Sequence, residues 1–267
     1  LQFHFPETEN PSTIDLPFPD GKWVEFEVYE TQTMAPALAG RYPEIKTYIG
    51  IGTSNPAISV RFSITPNGFS ALIFNGGEVY FIEKKEGGSL GEHIVFDSKN
   101  KPQPNLGCGT SDHLPMDKMN AESTALQRNG GSNSWNATGD QLRTYRLAMA
   151  ATGEFTQLYG GSQDSALAAI VEMMNMVNGI YERDLAVRFQ LIPNNDEIIY
   201  RIPGSDPYTD SSPTTLLGEN QAHLDSKIGT ANYDIGHVIR STGSGVGSLS
   251  SVCSASSKGR GLSLIHI

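Results

Sequence analysis

The sequence contains few cysteines, no long apolar run and few positive charges. Two cysteines, Cys108 and Cys253, are too few for a disulfide-stabilised scaffold and leave the redox compartment open. Without a run of about eighteen apolar residues, no membrane span is expected. The 19 Lys and Arg residues against 29 Asp and Glu residues give a net charge of -10 and no clustered basic face. Nucleic acid is therefore not an expected partner.

Two kinds of catalytic motif are also missing. The six histidines, none of which lies four residues from another, are His4, His93, His113, His223, His237 and His266. An H-E-x-x-H metal motif is thus excluded, and no G-x-S-x-G nucleophile motif occurs. The chain also begins without Met or a signal-peptide pattern, so Leu1 is not expected to be the natural start.

Residues 1–98 have the pattern of a β-rich unit. Residues 23–29 alternate apolar and acidic side chains, as a strand with one solvated face does. Further strands are expected, separated by turns of the Asn-Gly type, and a short helix is expected at residues 34–42. These strands are 47–51, 58–64, 70–74 and 79–83. Residues 99–141 are then rich in Pro, Asn, Gly and Ser and are interpreted as a linker.

The pattern of residues 142–261 predicts an α/β unit. Together with the β-rich residues 1–98, this gives the whole chain the α+β class. A strand at 143–151, a helix that begins after Ser162 and a strand at 185–192 predict a right-handed βαβ unit with parallel strands. A second helix is expected at 215–228 and another strand at 233–239. Residues 262–267 correspond to one reading frame of a sequencing-library adaptor and are interpreted as an artefact, although their weak alternation also suits a terminal strand.

Three sequence blocks carry a family resemblance. They are YRLAMAATGEFTQ, ALAAIVEMMNMVNGIYERDLAVRFQLI and LDSKIGTANYDIGHVI followed by GVGSLSSVC. Together they resemble the reprolysin-like (adamalysin-type, metzincin) zinc metallopeptidases, especially secreted bacterial members with a propeptide. The resemblance implies that residues 1–98 are a pro-region. It also implies that residues 142–261 form the upper half of a catalytic domain, with a mixed, mostly parallel sheet and flanking helices.

The resemblance implies zinc as the cofactor, but places its ligands downstream of residue 261. In that family an H-E-x-x-H helix binds the metal, and its glutamate polarises the zinc-bound water that attacks the peptide bond. No catalytic residue is therefore assigned in this sequence. The chain is interpreted as a fragment of a secreted or cell-surface endopeptidase precursor that cleaves peptides or proteins and is itself inactive.

The resemblance also assigns five substrate-binding residues, which are Tyr233, Asp234, Ile235, Gly236 and His237. They match the antiparallel edge strand that lines the cleft in this family, and an edge strand can accept an extended substrate as one more strand. The alternative is an ordinary strand, with His237 a hydrogen-bonded surface or core histidine. Cys253 matches a cysteine whose partner in relatives lies beyond the zinc helix, so its thiol is expected to be unpaired.

Cys108 lies between two glycines in the linker and could ligate the zinc of a latent precursor as thiolate. The alternative is an inert buried thiol. At the level of the whole chain, the alternative function is a non-catalytic secreted binding or adhesion protein with a β-rich and an α/β module. Because half a sheet would leave one face of its helix uncovered, we also expect poor stability.

Overall fold

A computed structural model describes residues 12–85, 91–100, 141–209, 212–241 and 245–264. These residues form two β-sheets and four α-helices. The α+β class expected from the sequence is confirmed.

The first sheet has seven strands, each antiparallel to the next along the chain. Its strands are β1 (Ser12–Pro17), β2 (Trp23–Thr31), β3 (Lys46–Gly52), β4 (Ile58–Thr65), β5 (Gly68–Asn75), β6 (Glu78–Lys84) and β7 (His93–Asp97). The five strands expected from alternation are confirmed, and β1 and β7 extend the sheet at its two ends. The expected helix at 34–42 is the single turn α1 (Pro36–Ala39), which begins at a proline that has no N–H to lose.

The second sheet is mixed, with the strand order β11-β12-β10-β8-β9. Its strands are β8 (Arg143–Ala151), β9 (Val187–Leu191), β10 (Ile235–Arg240), β11 (Val246–Gly247) and β12 (Gly261–Leu264). All neighbouring pairs are parallel except β11 with β12, so the expected mixed, mostly parallel sheet is confirmed. Gly261 to Leu264 thus form a strand, and Leu262 is only 2% exposed. The adaptor origin of residues 262–267 stays a hypothesis about the coding DNA.

Three longer helices accompany this sheet, namely α2 (Gly153–Leu158), α3 (Gln163–Leu185) and α4 (Pro213–Lys227). The Ser162 hydroxyl accepts a hydrogen bond from the Ser165 N–H at 3.0 Å and caps α3, as expected. The helix ends where Ala186 adopts a left-handed φ of 52°. The βαβ unit formed by β8, α3 and β9 is confirmed.

Helix α3 lies between the two sheets. One face packs on β8 and β9 through Leu167, Ile170 and Met174. The other face contacts β3, β4 and β5 of the first sheet. The expectation of an uncovered helix face is therefore wrong, because the β-rich unit covers it. Helix α4 packs on the opposite face of the second sheet, over a separate apolar cluster that includes Leu216 and Leu224.

Candidate functional site

Residues 235–240 do not form an edge strand. Strand β10 is hydrogen-bonded to β8 on one side and to β12 on the other, and both pairings are parallel. The prediction of an antiparallel edge strand at 233–239 is therefore wrong. The reason is that β12 pairs with β10 on the side that was expected to be free. An incoming peptide finds no free ladder of N–H and C=O groups along β10.

Tyr233 lies in the core rather than on a cleft wall, with its side chain fully buried. Its hydroxyl donates to Asp225 Oδ1 at 2.8 Å and accepts from Gln221 Nε2 at 3.1 Å. Burial and the hydrogen bond to Asp225 raise the pKa of Tyr233 above its ordinary value. The Lys258 ammonium lies 4.4 Å from the ring centroid and donates to the Tyr233 carbonyl at 2.6 Å. This network joins α4 to the strand and stabilises the fold.

Asp234 forms an ion pair with Arg146 of β8. The guanidinium donates to both carboxylate oxygens, at 2.7 and 3.1 Å, and the Arg146 backbone N–H donates at 2.8 Å. These hydrogen bonds hold the pKa of Asp234 below its ordinary value. A carboxylate engaged in this way fixes the start of β10 and is a poor general base at neutral pH.

The next three residues pack closely against their neighbours. Ile235 is half-buried and pairs with Leu147. A Cβ on Gly236 would lie 2.7 Å from the backbone Cα of Gly259, so only glycine fits there. Burial lowers the pKa of the partly exposed His237 to about 4, and its ring is therefore neutral at pH 7. The five predicted substrate residues thus form one continuous segment, of which Ile235, Gly236 and His237 lie in β10, and their contacts with substrate stay a prediction.

Among the described residues, β11 is the strand at one edge of this sheet, and it runs antiparallel to its neighbour β12. The Ser248 N–H donates to the Arg260 carbonyl at 3.0 Å, toward β12. Because successive residues of a strand point their backbone groups in opposite directions, the N–H and C=O of Gly247 face away from the sheet. Gly247 is exposed. Two residues are too few to show alternation, so no pattern in the sequence could have identified this strand.

The segment after β11 is fixed to α4 by two buried amides. Asn220 Nδ2 donates to the Gly259 carbonyl at 2.6 Å, and Gln221 Oε1 accepts from the Gly259 N–H at 2.6 Å. Cys253 in this segment is a free, exposed cysteine.

A groove of about 450 Å³ opens where the first sheet meets α3. Its lining is mainly apolar, from Phe74 and Phe81 on the sheet and Met173 and Met176 on the helix. The carboxyl group of Glu172 accepts a hydrogen bond from the Thr65 hydroxyl there, while burial raises its pKa. No periodic pattern in the sequence indicates this groove, because its two walls are about one hundred residues apart in the chain.

Metal binding cannot be assigned to the part of the chain that the structure describes. No group of three or more His, Cys, Asp or Glu side chains in it could hold a metal ion. Cys108, the predicted inhibitory zinc ligand, lies outside the described residues. Within those residues, no helix is long and apolar enough to cross a membrane.

Comparison with known proteins adds one family match. Residues 141–264 match the sequence model described as Metallo-peptidase family M12B Reprolysin-like. No curated protein matches the chain. Among solved structures, the chain is similar to the crystal structure of metalloproteinase-II from Bacteroides fragilis, at 10% identity and a TM-score of 0.40. That likeness covers 96% of this chain and 75% of the other.

Proposed function

We propose, from the match of residues 141–264 to the reprolysin-like metallopeptidase model, that the chain is part of a secreted zinc endopeptidase precursor. The family match is the observation that carries the proposal. Peptides or proteins are the substrates of this class of enzyme. The five strands of the second sheet and the helices beside them supply one wall of the cleft in this proposal.

The residues described here do not fit a zinc ion, so we assign no step of the reaction to them. We place the zinc ligands downstream of residue 261, as the resemblance to the family implies. The contribution of residues 141–264 is then to position the substrate. In agreement with this division, Asp234 is engaged in an ion pair and burial keeps the His237 ring neutral at pH 7.

The substrate strand is best placed on β11. An extended peptide that pairs there would use the outward N–H and C=O of Gly247. Among the described residues, the segment after β2 contacts the opposite end of the second sheet, at β9, and no strand pairs with the outer side of β11. Residues 1–98 would serve as the pro-region in this proposal, and latency would depend on the linker that contains Cys108.

Two substitutions test the substrate strand in the complete enzyme. Gly247→Pro removes the outward N–H, whereas Gly247→Ala keeps it and places a Cβ 3.9 Å from the Arg260 carbonyl, an ordinary contact. We expect kcat/KM for a peptide substrate to fall about tenfold or more in the proline variant, the loss of about one hydrogen bond in the transition state. Equal activity of the two variants would remove β11 from the site.

The peptidase assignment is tested on the uninterrupted reading frame. The encoded protein should bind one zinc per chain, and a chelator should abolish its proteolysis. Replacing Cys108 by Ala should release activity before processing, while an equally latent variant would contradict the role of that thiol. A reading frame without H-E-x-x-H after residue 261 would instead favour the non-catalytic binding protein.

A further inference from the structure

The chain segment after β2 adds to the second sheet. The Leu191 N–H donates to the Thr33 carbonyl at 2.8 Å, and the Ala35 N–H donates to the Leu191 carbonyl at 2.9 Å. Met34 thereby pairs in parallel with Leu191, the last residue of β9. The β-rich unit thus supplies a short strand to the edge of the other unit, a form of recognition that proteins also use between separate chains.

An ion pair beside this strand holds the same two units. The Arg41 guanidinium donates to both oxygens of Asp196, at 2.6 and 3.1 Å, and to the Pro193 carbonyl at 2.8 Å. The Tyr42 hydroxyl donates to the same carboxylate at 3.1 Å. A two-pronged arginine contact of this kind fixes orientation as well as distance.

A buried charge cluster joins β4 to the C-terminal part of α3. Arg61 donates to Glu182 Oε2 at 2.5 Å, and Arg188 of β9 donates to both oxygens, at 2.7 and 3.0 Å. The side chains of Arg61 and Glu182 are 4% and 9% exposed, so both charges are removed from water. Burial alone would raise the pKa of Glu182, but Arg188 and Arg61 together hold it below its ordinary value.

The middle of α3 is shaped for the first sheet. The Asn175 amide donates to the Phe62 carbonyl at 2.9 Å and to the Ser63 hydroxyl at 3.2 Å. A Cβ on Gly179 would lie 2.7 Å from Arg61 Cγ and 3.3 Å from Phe74 Cε2. Glycine costs about 1 kcal/mol inside a helix, and here it permits the close approach of β4 and β5.

The two units also share one apolar core. Met34, Leu38 and Ile45 of the first unit are buried in the same cluster as Leu167 and Ile170 of α3. Shared cores are typical of permanent interfaces, whereas domains that move apart usually meet through smaller and more polar contacts.

We propose that residues 12–100 and 141–264 are noncovalent partners that stay bound when the segment between them is cut. Strand addition, the Arg41 and Arg61 contacts and the shared core are all independent of the covalent connection through residues 101–140. This inference rests on the proposed function only where residues 1–98 are called a pro-region. For such a precursor, cleavage of the linker would leave the β-rich unit attached to α3, and its removal would require a further event.

The experiment uses the full chain with a recognition sequence for a site-specific protease inserted between residues 101 and 140. After complete cleavage at micromolar concentration, both fragments should elute together in size-exclusion chromatography, at the volume of the uncut chain. Elution as two separate species would overturn the proposal. So would precipitation on cutting, since an intact complex keeps the face of α3 covered. Absence of zinc or peptidase activity would leave this result unaffected.

Two variants of the cut protein locate the interaction. Leu38→Ala removes a fully buried side chain from the shared core and should raise the dissociation constant about a hundredfold. Arg61→Met leaves Glu182 paired with Arg188 and should raise it about tenfold. Lys22→Met, which removes an exposed ion pair in the β1–β2 turn, is the control and should have no effect. Equal dissociation constants for all three variants would contradict the assigned interface.

Discussion

Substitution of Gly179 by Ala should change the free energy of unfolding in opposite directions, depending on whether the first sheet contacts α3 at this residue. On a helix face exposed to water, the change should stabilise the protein by about 1 kcal/mol, the difference in helix propensity. In the structure, the added Cβ would lie 2.7 Å from Arg61 Cγ, closer than real Cβ contacts. Arg61 cannot rotate away freely, because its guanidinium is held by Glu182 at 2.5 Å.

The size of the effect follows from these two contributions. Overpacking of a close-packed interior costs about 1–3 kcal/mol, which offsets or exceeds the propensity gain. The net change expected for Gly179→Ala is therefore a destabilisation of about 0–2 kcal/mol. Gly218 on α4 is the matched control, because a Cβ there would meet nothing within 4 Å and the residue is exposed. Gly218→Ala should stabilise the protein by up to about 1 kcal/mol.

Urea unfolding of the two variants, compared with the unsubstituted chain, measures the difference. We expect the two free energies of unfolding to differ by about 1–3 kcal/mol, with Gly179→Ala the less stable protein. In a thermal scan this corresponds to roughly 2–4 °C per kcal/mol for a protein of this size. An equal increase in stability from both substitutions would show that α3 is not covered at Gly179 and would refute the packing described here.

Two further predictions concern the second sheet. The pKa of His237 is about 4 in the folded protein, against about 6.5 when unfolded, so the folded state binds fewer protons between those values. Its contribution to stability should be constant above pH 6.5 and decline by at most about 3 kcal/mol as the pH falls to 4. His237→Gln should flatten that slope in urea titrations, and an unchanged slope would contradict the lowered pKa of the ring. Asn178 donates to the Phe189 carbonyl and accepts from the Phe189 N–H, both at 2.8 Å, so Asn178→Ala should cost about 2–4 kcal/mol by leaving both groups unpaired. A loss below about 1 kcal/mol would show that water replaces the amide.

The longer strands and helices could be predicted because their apolar side chains recur with the period of a strand or of a helix. The alternation in β2 and the spacing of Leu167, Ile170 and Met174 in α3 mark a half-buried strand and a helix face on any backbone. The order of β10, β12 and β11 could not be predicted in this way. Strands of four and two residues show at most a weak alternation, and their pairing depends on contacts with α4 that are distant in sequence.

The second contact face of α3 does leave a trace in the sequence. Glu172, Asn175, Gly179 and Glu182 follow one another at intervals of three and four, which places them on one side of the helix. A polar stripe usually faces solvent, so its spacing alone does not indicate an interface. Only the partners, such as Arg61 and Thr65 on a distant strand, turn these polar residues into a buried contact.

The charged residues of this stripe and the apolar core contribute differently to the affinity between the two units. Burying Arg61 and Glu182 removes both from water, and the attraction between them only about repays that desolvation. The charges therefore fix which strand meets which turn of α3, while Met34, Leu38 and Ile45 supply most of the affinity. The larger effect should thus come from Leu38→Ala and the smaller one from Arg61→Met. The reverse order would mean that the ion cluster, rather than the shared apolar core, holds the two units together.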